Sequence, residues 1–377
     1  MSQDPLPARE TLVCAATVTP REDSERNEDA FMPVCAPRAG VYGVAVADGL
    51  GSYSRAGRAA RYAAREAAAW LRDETEHFGR GTLTRLFAQV HTGLRSHARD
   101  AAGGGDPEAQ AFGTTLLVGL DAGAELVAAY AGNGAIWHIR GNLDGFASAA
   151  GLPWNAVNLL NPHSVPRDGR EVLYNILDAA EATPPLPTEV SVRKDPRFGD
   201  ILVLCTDGIY SADQLTHGTD ASGGAWVSAE ATMVAFHQAL RELFAGWDGE
   251  GEPPLEATLR AYLGALRSRG MLEDDATVGV IVTADALRYQ RSLAAARAAL
   301  AAAGAASGST PARSGDPPAA YERDGVPAGP AWREAGEPVD AAEAVDSVGA
   351  GGNAAAAATA AAGEEGAGCT PSPASPV

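Results

Sequence analysis

The chain has 377 residues, 46% of them hydrophobic, and a formal net charge of −19, enough for one large core or two small ones. The charge repels polyanions, no basic stripe offsets it, and nucleic acid is therefore not an expected partner. No apolar run reaches membrane-spanning length, the four scattered cysteines (Cys14, Cys35, Cys205, Cys369) form no CxxC pair, and the opening MSQDPLPARE lacks the apolar stretch of a secretory leader; a cytoplasmic protein without disulfides is expected.

Seven strands are predicted from runs of β-branched and aromatic residues, at 11–18, 41–47, 114–120, 125–131, 135–140, 201–205 and 277–282. Helices are predicted at 55–76, 83–99, 169–179, 228–244 and 254–269; Leu83, Leu86, Phe87, Val90 and Leu94 recur at helical spacing and mark a buried stripe. The middle strands read as an antiparallel meander, and the element order does not fit strict βαβ alternation. The folded body is expected over 8–284, a C-terminal helix over 285–304, and a disordered Ala/Gly/Pro-rich tail over 305–377, where large apolar residues nearly vanish.

Four acidic turns stand at strand ends: Glu28-Asp29, Asp48-Gly49, Asp207-Gly208 and Asp274-Asp275. An Asp-Gly at a strand end is usually only a turn. Four of them beside apolar strands are different, because carboxylates that converge next to a buried sheet need a compensating charge. A hard divalent cation with oxygen ligands is the simplest one. Other chemistries lack their residues. Lys194 is the only lysine and no GxxxxGK[ST] occurs, no GxSxG elbow is present, and no HExxH is present. Gly49-Leu50-Gly51 is half of a dinucleotide fingerprint, and Asp48 would repel a pyrophosphate. His138, in a strand, reads as structural; His163 reads as structural or as part of a site rim.

The ordered set Asn27-Glu28-Asp29, Asp48-Gly49-Leu50-Gly51, Gly113-Thr114-Thr115, Gly132-Asn133-Gly134, Thr206-Asp207-Gly208 and Asp274-Asp275-Ala276-Thr277-Val278 resembles the PPM-type, or type 2C, metal-dependent serine/threonine protein phosphatases, and in particular their bacterial members. The resemblance implies an α+β fold, a four-layer α-β-β-α sandwich of two antiparallel sheets packed face to face with helices outside. It implies hydrolysis of phosphoserine or phosphothreonine by a water bridging two Mn or Mg ions. Asp48 would bridge the ions; Glu28 and the Gly49 carbonyl would ligate one, with Asp29 holding its waters; Asp207 and Asp274 would ligate the other. A phosphorylated protein is the implied substrate and a serine/threonine kinase the implied counterpart in signal transduction, with no membrane involved.

The sequence departs from that pattern at four positions. Ser24 stands where the family carries a phosphate-clamping arginine, leaving Arg26 and Arg21 as candidates. Leu50 replaces a histidine of some relatives. Asn133 and Ser211 replace carboxylates of a third ion site, so a third ion is expected to be weak or absent. These departures keep open an alternative: a catalytically weak or inactive binding or sensing module on the same fold. The Gly/Ser/Thr-rich stretch 211–226 is expected to lie beside the site as a recognition loop.

Overall fold

A computed structural model describes residues 11–22, 26–36, 40–73, 81–101, 111–143, 156–167, 170–209, 216–219, 225–228 and 231–306. In chain order the strands are β1 (Leu12–Val18), β2 (Ala30–Ala36), β3 (Val41–Ala47), β4 (Gly113–Thr114), β5 (Leu116–Asp121), β6 (Glu125–Ala131), β7 (Ala135–Arg140), β8 (Ala156–Asn158), β9 (Ser164–Arg167), β10 (Arg170–Leu173), β11 (Leu177–Asp178), β12 (Thr188–Arg193), β13 (Asp200–Cys205), β14 (Thr216–Thr219), β15 (Ala225–Ser228) and β16 (Ala276–Val282). The helices are α1 (Ala56–Asp73), α2 (Thr82–Ala101), α3 (Ala231–Gly246), α4 (Leu255–Ser268) and α5 (Ala284–Ala306).

Two five-stranded antiparallel sheets carry the fold, in the orders β1-β16-β13-β7-β8 and β12-β6-β5-β3-β2. Their strands are apolar on both faces because each sheet is covered twice. Successive residues of β3 show it: Val44 and Val46 join an apolar layer with Leu117, Leu202, Leu204 and Ile281, drawn from both sheets. Ala45 and Ala47 point the other way, into the layer under α1 and α2. On the first sheet, Val203, Val278 and Val280 face Phe236, Leu240, Leu259 and Leu263 of α3 and α4. The layers are therefore helix, sheet, sheet, helix, as the resemblance implies.

The inter-sheet layer leaves no spare room. A Cβ on Gly119 would stand 2.8 Å from Leu204 Cδ1, and one on Gly279 would stand 2.7 Å from Val44 Cγ2. The glycines let the large side chains of the facing sheet interdigitate.

Polar pairs close the sandwich away from the site. His138 Nε2 lies 2.8 Å from Asp200 Oδ1, with Arg140 on the same oxygen, and the Asp195 N–H donates to Asp200 Oδ2 at 2.7 Å; His138 is structural, as its sequence context suggests. Lys194 pairs with Asp121 Oδ1 at 2.5 Å, and Thr11 donates to Asp121 Oδ2 at 2.8 Å.

Two local expectations are corrected. The helix expected over 169–179 is not found in its described part, 170–179. The segment from Arg170 returns antiparallel on β9, Arg170 opposite Arg167, and β11 then pairs with β4. Val172, Leu173, Ile176 and Leu177 mimic a helical stripe, but Asp168-Gly169 ahead of them is a two-residue hairpin signal. Ser228 ends β15 and does not start a helix; α3 begins at Ala231. Residues 210–215, 220–224 and the tail from 307 onward fall outside the described residues, so most of the 211–226 loop and of the expected tail does too. Among the described residues no helix is long and apolar enough to cross a membrane.

Leu204 is fully buried between the sheets. Leu204→Ala is expected to destabilise the domain by about 2–5 kcal/mol, read from the urea midpoint; a shift under about 1 kcal/mol would contradict a tightly filled inter-sheet layer.

Candidate active site

Strand pairing brings the acidic turns to one end of the sandwich. β2 runs antiparallel to β3 with Ala30 opposite Ala47, so Asp29, just before β2, and Asp48, just after β3, emerge together. β13 pairs with β16, Cys205 opposite Val278, which sets the turn holding Asp207 beside the Asp274-Asp275 turn. Stacking the sheets face to face brings the two pairs of ends into one neighbourhood.

Each backbone turn is locked. The Asp48 carbonyl accepts the Thr115 N–H at 2.8 Å and the Thr114 hydroxyl at 2.7 Å, and the Asp48 N–H donates to Thr115 Oγ1 at 3.0 Å. Gly49 donates to the Glu28 carbonyl at 3.2 Å. A Cβ there would sit 2.6 Å from the Ala56 carbonyl carbon and 2.8 Å from Glu28 O, so only glycine fits. At Gly208 a Cβ would meet Asp275 O at 1.9 Å. The threonines of the sequence motifs are thus structural bolts, a role that β-propensity alone does not reveal.

A second set of threonines holds Asp29. Thr206 donates its hydroxyl to Asp29 Oδ2 at 2.8 Å and accepts the Thr277 N–H at 3.0 Å. Thr277 donates to Thr17 at 2.7 Å, and Asn27 donates to Thr17 at 2.9 Å while accepting the Asp29 N–H at 2.9 Å. Asp29 is 5% exposed, and its Oδ1 is buried without a hydrogen-bond partner. Burial lifts its carboxyl to about 7, with the Asp275 charge adding to the effect and the hydrogen bonds from Thr277, Asp48 and Thr206 opposing it.

Asp48 lies within hydrogen-bonding reach of both Asp29 and Asp207. Burial first, then the negative charges of those two neighbours, push its carboxyl well above the usual range. Asp207 Oδ2 accepts the Asn133 side-chain amide at 2.6 Å. Asn133 comes from a loop between two left-handed glycines, Gly132 at φ 105° and Gly134 at φ 109°. His163 Nδ1 accepts from the Gly132 N–H at 3.3 Å and sits 2.9 Å from Asn175 Nδ2, while its Nε2 faces Thr188 Oγ1 at 2.9 Å. His163 thus supports the loop that presents Asn133.

The remaining acids form a rim. Asp275 is buried and accepts the Glu28 N–H at 2.6 Å; Asp274 is exposed and accepts the Asp275 N–H at 2.8 Å. Burial and the charges of Asp275 and Asp274 raise the Glu28 carboxyl, which the nearby Arg26 partly offsets. Of the two candidate phosphate clamps, Arg26 therefore stands beside the site's rim, while Arg21 is exposed in the turn after β1. Ser24 lies outside the described residues. The structure thus joins Asp29, Asp48 and Asp207 in one group, and Glu28 with Asp274 around Asp275 in a second. Among the described residues, no three acidic, histidine or cysteine side chains close around a common point as an ion would require. The donor chemistry nevertheless fits a hard divalent ion: carboxylate oxygens only, mutually repelling, one of them buried and unsatisfied.

Three residues were invisible as site parts in the sequence. Asn133 registered only as a missing carboxylate, and its bond to Asp207 depends on the β7–β13 register, with Ala135 opposite Cys205. Thr206 and Thr277 sit inside the motifs, but their shared hold on Asp29 depends on the β13–β16 register.

Two outcomes are expected. Asp48→Asn removes a charge from between Asp29 and Asp207, so in the presence of a chelator it should raise Tm by roughly 2–4 °C, about 1 kcal/mol, in differential scanning fluorimetry; an unchanged or lower Tm would show that the three acids do not repel one another. Burial lowers the His163 pKa, and protonating Nδ1 would set a proton against two N–H donors. A depressed folded-state pKa means the unfolded chain takes up protons first, so this contribution is present above about 6.5 and is lost as pH falls. His163→Gln should therefore show a smaller drop in Tm between pH 7.5 and pH 5 than the parent chain; parallel curves would refute the assignment.

Residues 19–157 match a family model described as Protein phosphatase 2C. Among solved structures the fold is similar to a bacterial serine phosphatase (TM-score 0.52, 14% identity, covering 73% of this chain and 98% of that one). It is similar also to the serine/threonine phosphatase of S. agalactiae (0.51, 15%, 73% and 100%) and to serine/threonine phosphatase Stp1 from Staphylococcus aureus (0.51, 14%, 75% and 98%). No curated protein matches the sequence. At such identities the structural likeness is one of fold, and the family-model match lies within residues 19–157 of the chain.

Proposed function

We propose that the chain is a metal-dependent protein phosphatase that hydrolyses phosphoserine or phosphothreonine esters. The single observation that supports this most is the group Asp29, Asp48 and Asp207, whose carboxylates are held together against their own repulsion. Such an arrangement is costly in a protein that never receives a cation. Two divalent ions, Mn or Mg, held by Glu28, Asp29, Asp48, the Gly49 carbonyl, Asp207 and Asp274, would supply Lewis acidity for attack of a water on phosphorus.

The chain's own residues do the rest. Thr114 and Thr115 fix the Asp48 backbone, and Thr206 fixes Asp29, so the donors need little reorganisation when a cation arrives. Asn133 orients Asp207. Arg26, beside Glu28, is placed to meet a phosphate where Ser24 offers no charge. Leu50 packs on Gly113 and has no proton to give, so the leaving alkoxide takes its proton from solvent or another donor. A phosphoprotein substrate, a counterpart kinase and a cytoplasmic setting complete the reading.

A second reading, a non-catalytic module, has one observation in its favour: the Asn133 amide already satisfies Asp207 Oδ2, a lone pair a cation would otherwise claim. One experiment separates the two. Purified protein should hydrolyse para-nitrophenyl phosphate with added Mn, lose that activity in chelator, and lose at least about 100-fold in Asp207→Asn with an unchanged circular dichroism spectrum. Absence of Mn-dependent turnover in the parent chain would favour the binding module.

A further inference from the structure

Beside the acidic group lies a cleft of about 500 Å³, lined by Arg26, Asn27, Glu28, Ser54, Arg55, Ala56, Gly57, Arg58 and Arg61. Four of its nine lining residues are arginines, in a chain of net charge −19, and Glu28 is the one acid among them. The arginines come from two places. Arg26 precedes the Glu28 rim, whereas Arg55 enters α1 and Arg58 and Arg61 follow three residues apart on one helix face. Arg26, Arg58 and Arg61 are exposed. Arg61 Nη1 reaches the Asn27 carbonyl at 3.4 Å, and a Cβ on Gly57 would touch Glu28 Cα at 3.1 Å. The Glu28 segment is therefore the shared wall between this cleft and the acidic group.

The charge pattern is the reverse of what a helix start favours. The N-terminal end of a helix carries partial positive charge and attracts acids. α1 has no acidic residue in its first turn, with Arg58 there instead and Arg55 immediately before it. Arginines crowded at a positive helix end repel one another and the helix dipole, and an anion in the cleft relieves both. Guanidinium forks bind phosphate or carboxylate through paired N–H groups.

Building on the phosphatase reading, we propose that this cleft is a flanking subsite that binds a second anionic group of the substrate, so that the favoured substrate is a segment carrying a second phosphate or an acidic side chain near the scissile phosphoresidue. Arg26, at the rim of the acidic group, serves the scissile phosphate, whereas Arg58 and Arg61 enter the cleft from α1 and meet the second anion. The subsite adds affinity for multiply phosphorylated or acidic segments and leaves the hydrolytic step to the acidic group.

The test uses four synthetic peptides built on one core sequence: one with alanine at the scissile position and phosphoserine at the second site only, one singly phosphorylated with neutral flanks, one singly phosphorylated with glutamate flanks, and one doubly phosphorylated, the second group being roughly one to four residues from the first on either side. In the full-length chain with Mn, kcat/KM for the doubly phosphorylated peptide should exceed that for the neutral-flanked one by about tenfold, with a smaller gain for glutamate flanks, and the gain should shrink in high salt. Arg58→Gln and Arg61→Gln should reduce the ratio between the peptides toward one. A larger gain from phosphate than from glutamate identifies a phosphorylated flank as the ligand; equal gains identify general acidity.

A parent chain that treats all peptides alike overturns the proposal. So does a variant that loses the neutral-flanked and doubly phosphorylated peptides by the same factor, because the arginines would then serve the scissile phosphate. If no peptide is hydrolysed, the phosphatase reading fails, and fluorescence anisotropy with the same labelled peptides still decides the subsite. Binding of the second-site phosphopeptide, weakened about tenfold by Arg58→Gln, supports it; binding unaffected by either arginine sinks it.

Discussion

Like charges repel, and the site exists because the rest of the chain prevents three carboxylates from separating. Asp29 and Asp48 leave one sheet, and Asp207 leaves the other. What keeps them together is the apolar layer between the sheets, where Val44, Val46, Leu117, Leu202, Leu204 and Ile281 interlock. Burying each such side chain contributes roughly 1.5–3 kcal/mol, so the layer easily outweighs the electrostatic cost at its end. Burial raises the proton affinity of Asp29, and burial together with the charges of Asp29 and Asp207 raises that of Asp48.

Rigidity at that end comes from small hydroxyl residues. Thr114, Thr115, Thr206 and Thr277 are all essentially buried, and each uses its hydroxyl on a neighbouring strand or turn. A hydroxyl one bond from a β-branched carbon has little rotamer freedom to lose, so it positions a carboxylate or a carbonyl at low entropic cost. Gly49 and Gly208 complete the arrangement by letting backbones approach to distances a side chain would forbid.

Much of this was legible in the residues. β3, β6 and β7 announce themselves at their observed bounds because buried strands of Val, Ile, Leu and Ala are bounded by Gly and charged turns. The acidic turns were readable as a set, since their order and spacing carry the resemblance. What was not readable depended on register. Val172, Leu173, Ile176 and Leu177 fit a helical stripe and a hairpin equally well until the Asp168-Gly169 dipeptide in the sequence is weighed. β2 hid because Pro33 interrupts its run, which an edge strand tolerates. The pairing of Asn133 with Asp207 joins residues 74 apart, and the division of the acids into an inner group and a rim around Asp275 follows from how two turns meet.

The buried side of α1 is almost entirely alanine: Ala56, Ala59, Ala60, Ala63, Ala64, Ala67 and Ala68, with Leu71 at the end. Contacts made through a single methyl have no torsion with which to yield. Any enlargement on that stripe must lift the whole cylinder off its sheet, carrying the Gly57 contact with the Glu28 backbone along with it. The opposite side, where Arg58, Arg61 and Arg65 project into solvent, bears no such restriction. One helix thus combines an inflexible mounting with a freely editable outer surface, so descendants of this chain can exchange the charges they show to partners without disturbing the turn chemistry a few ångströms beneath.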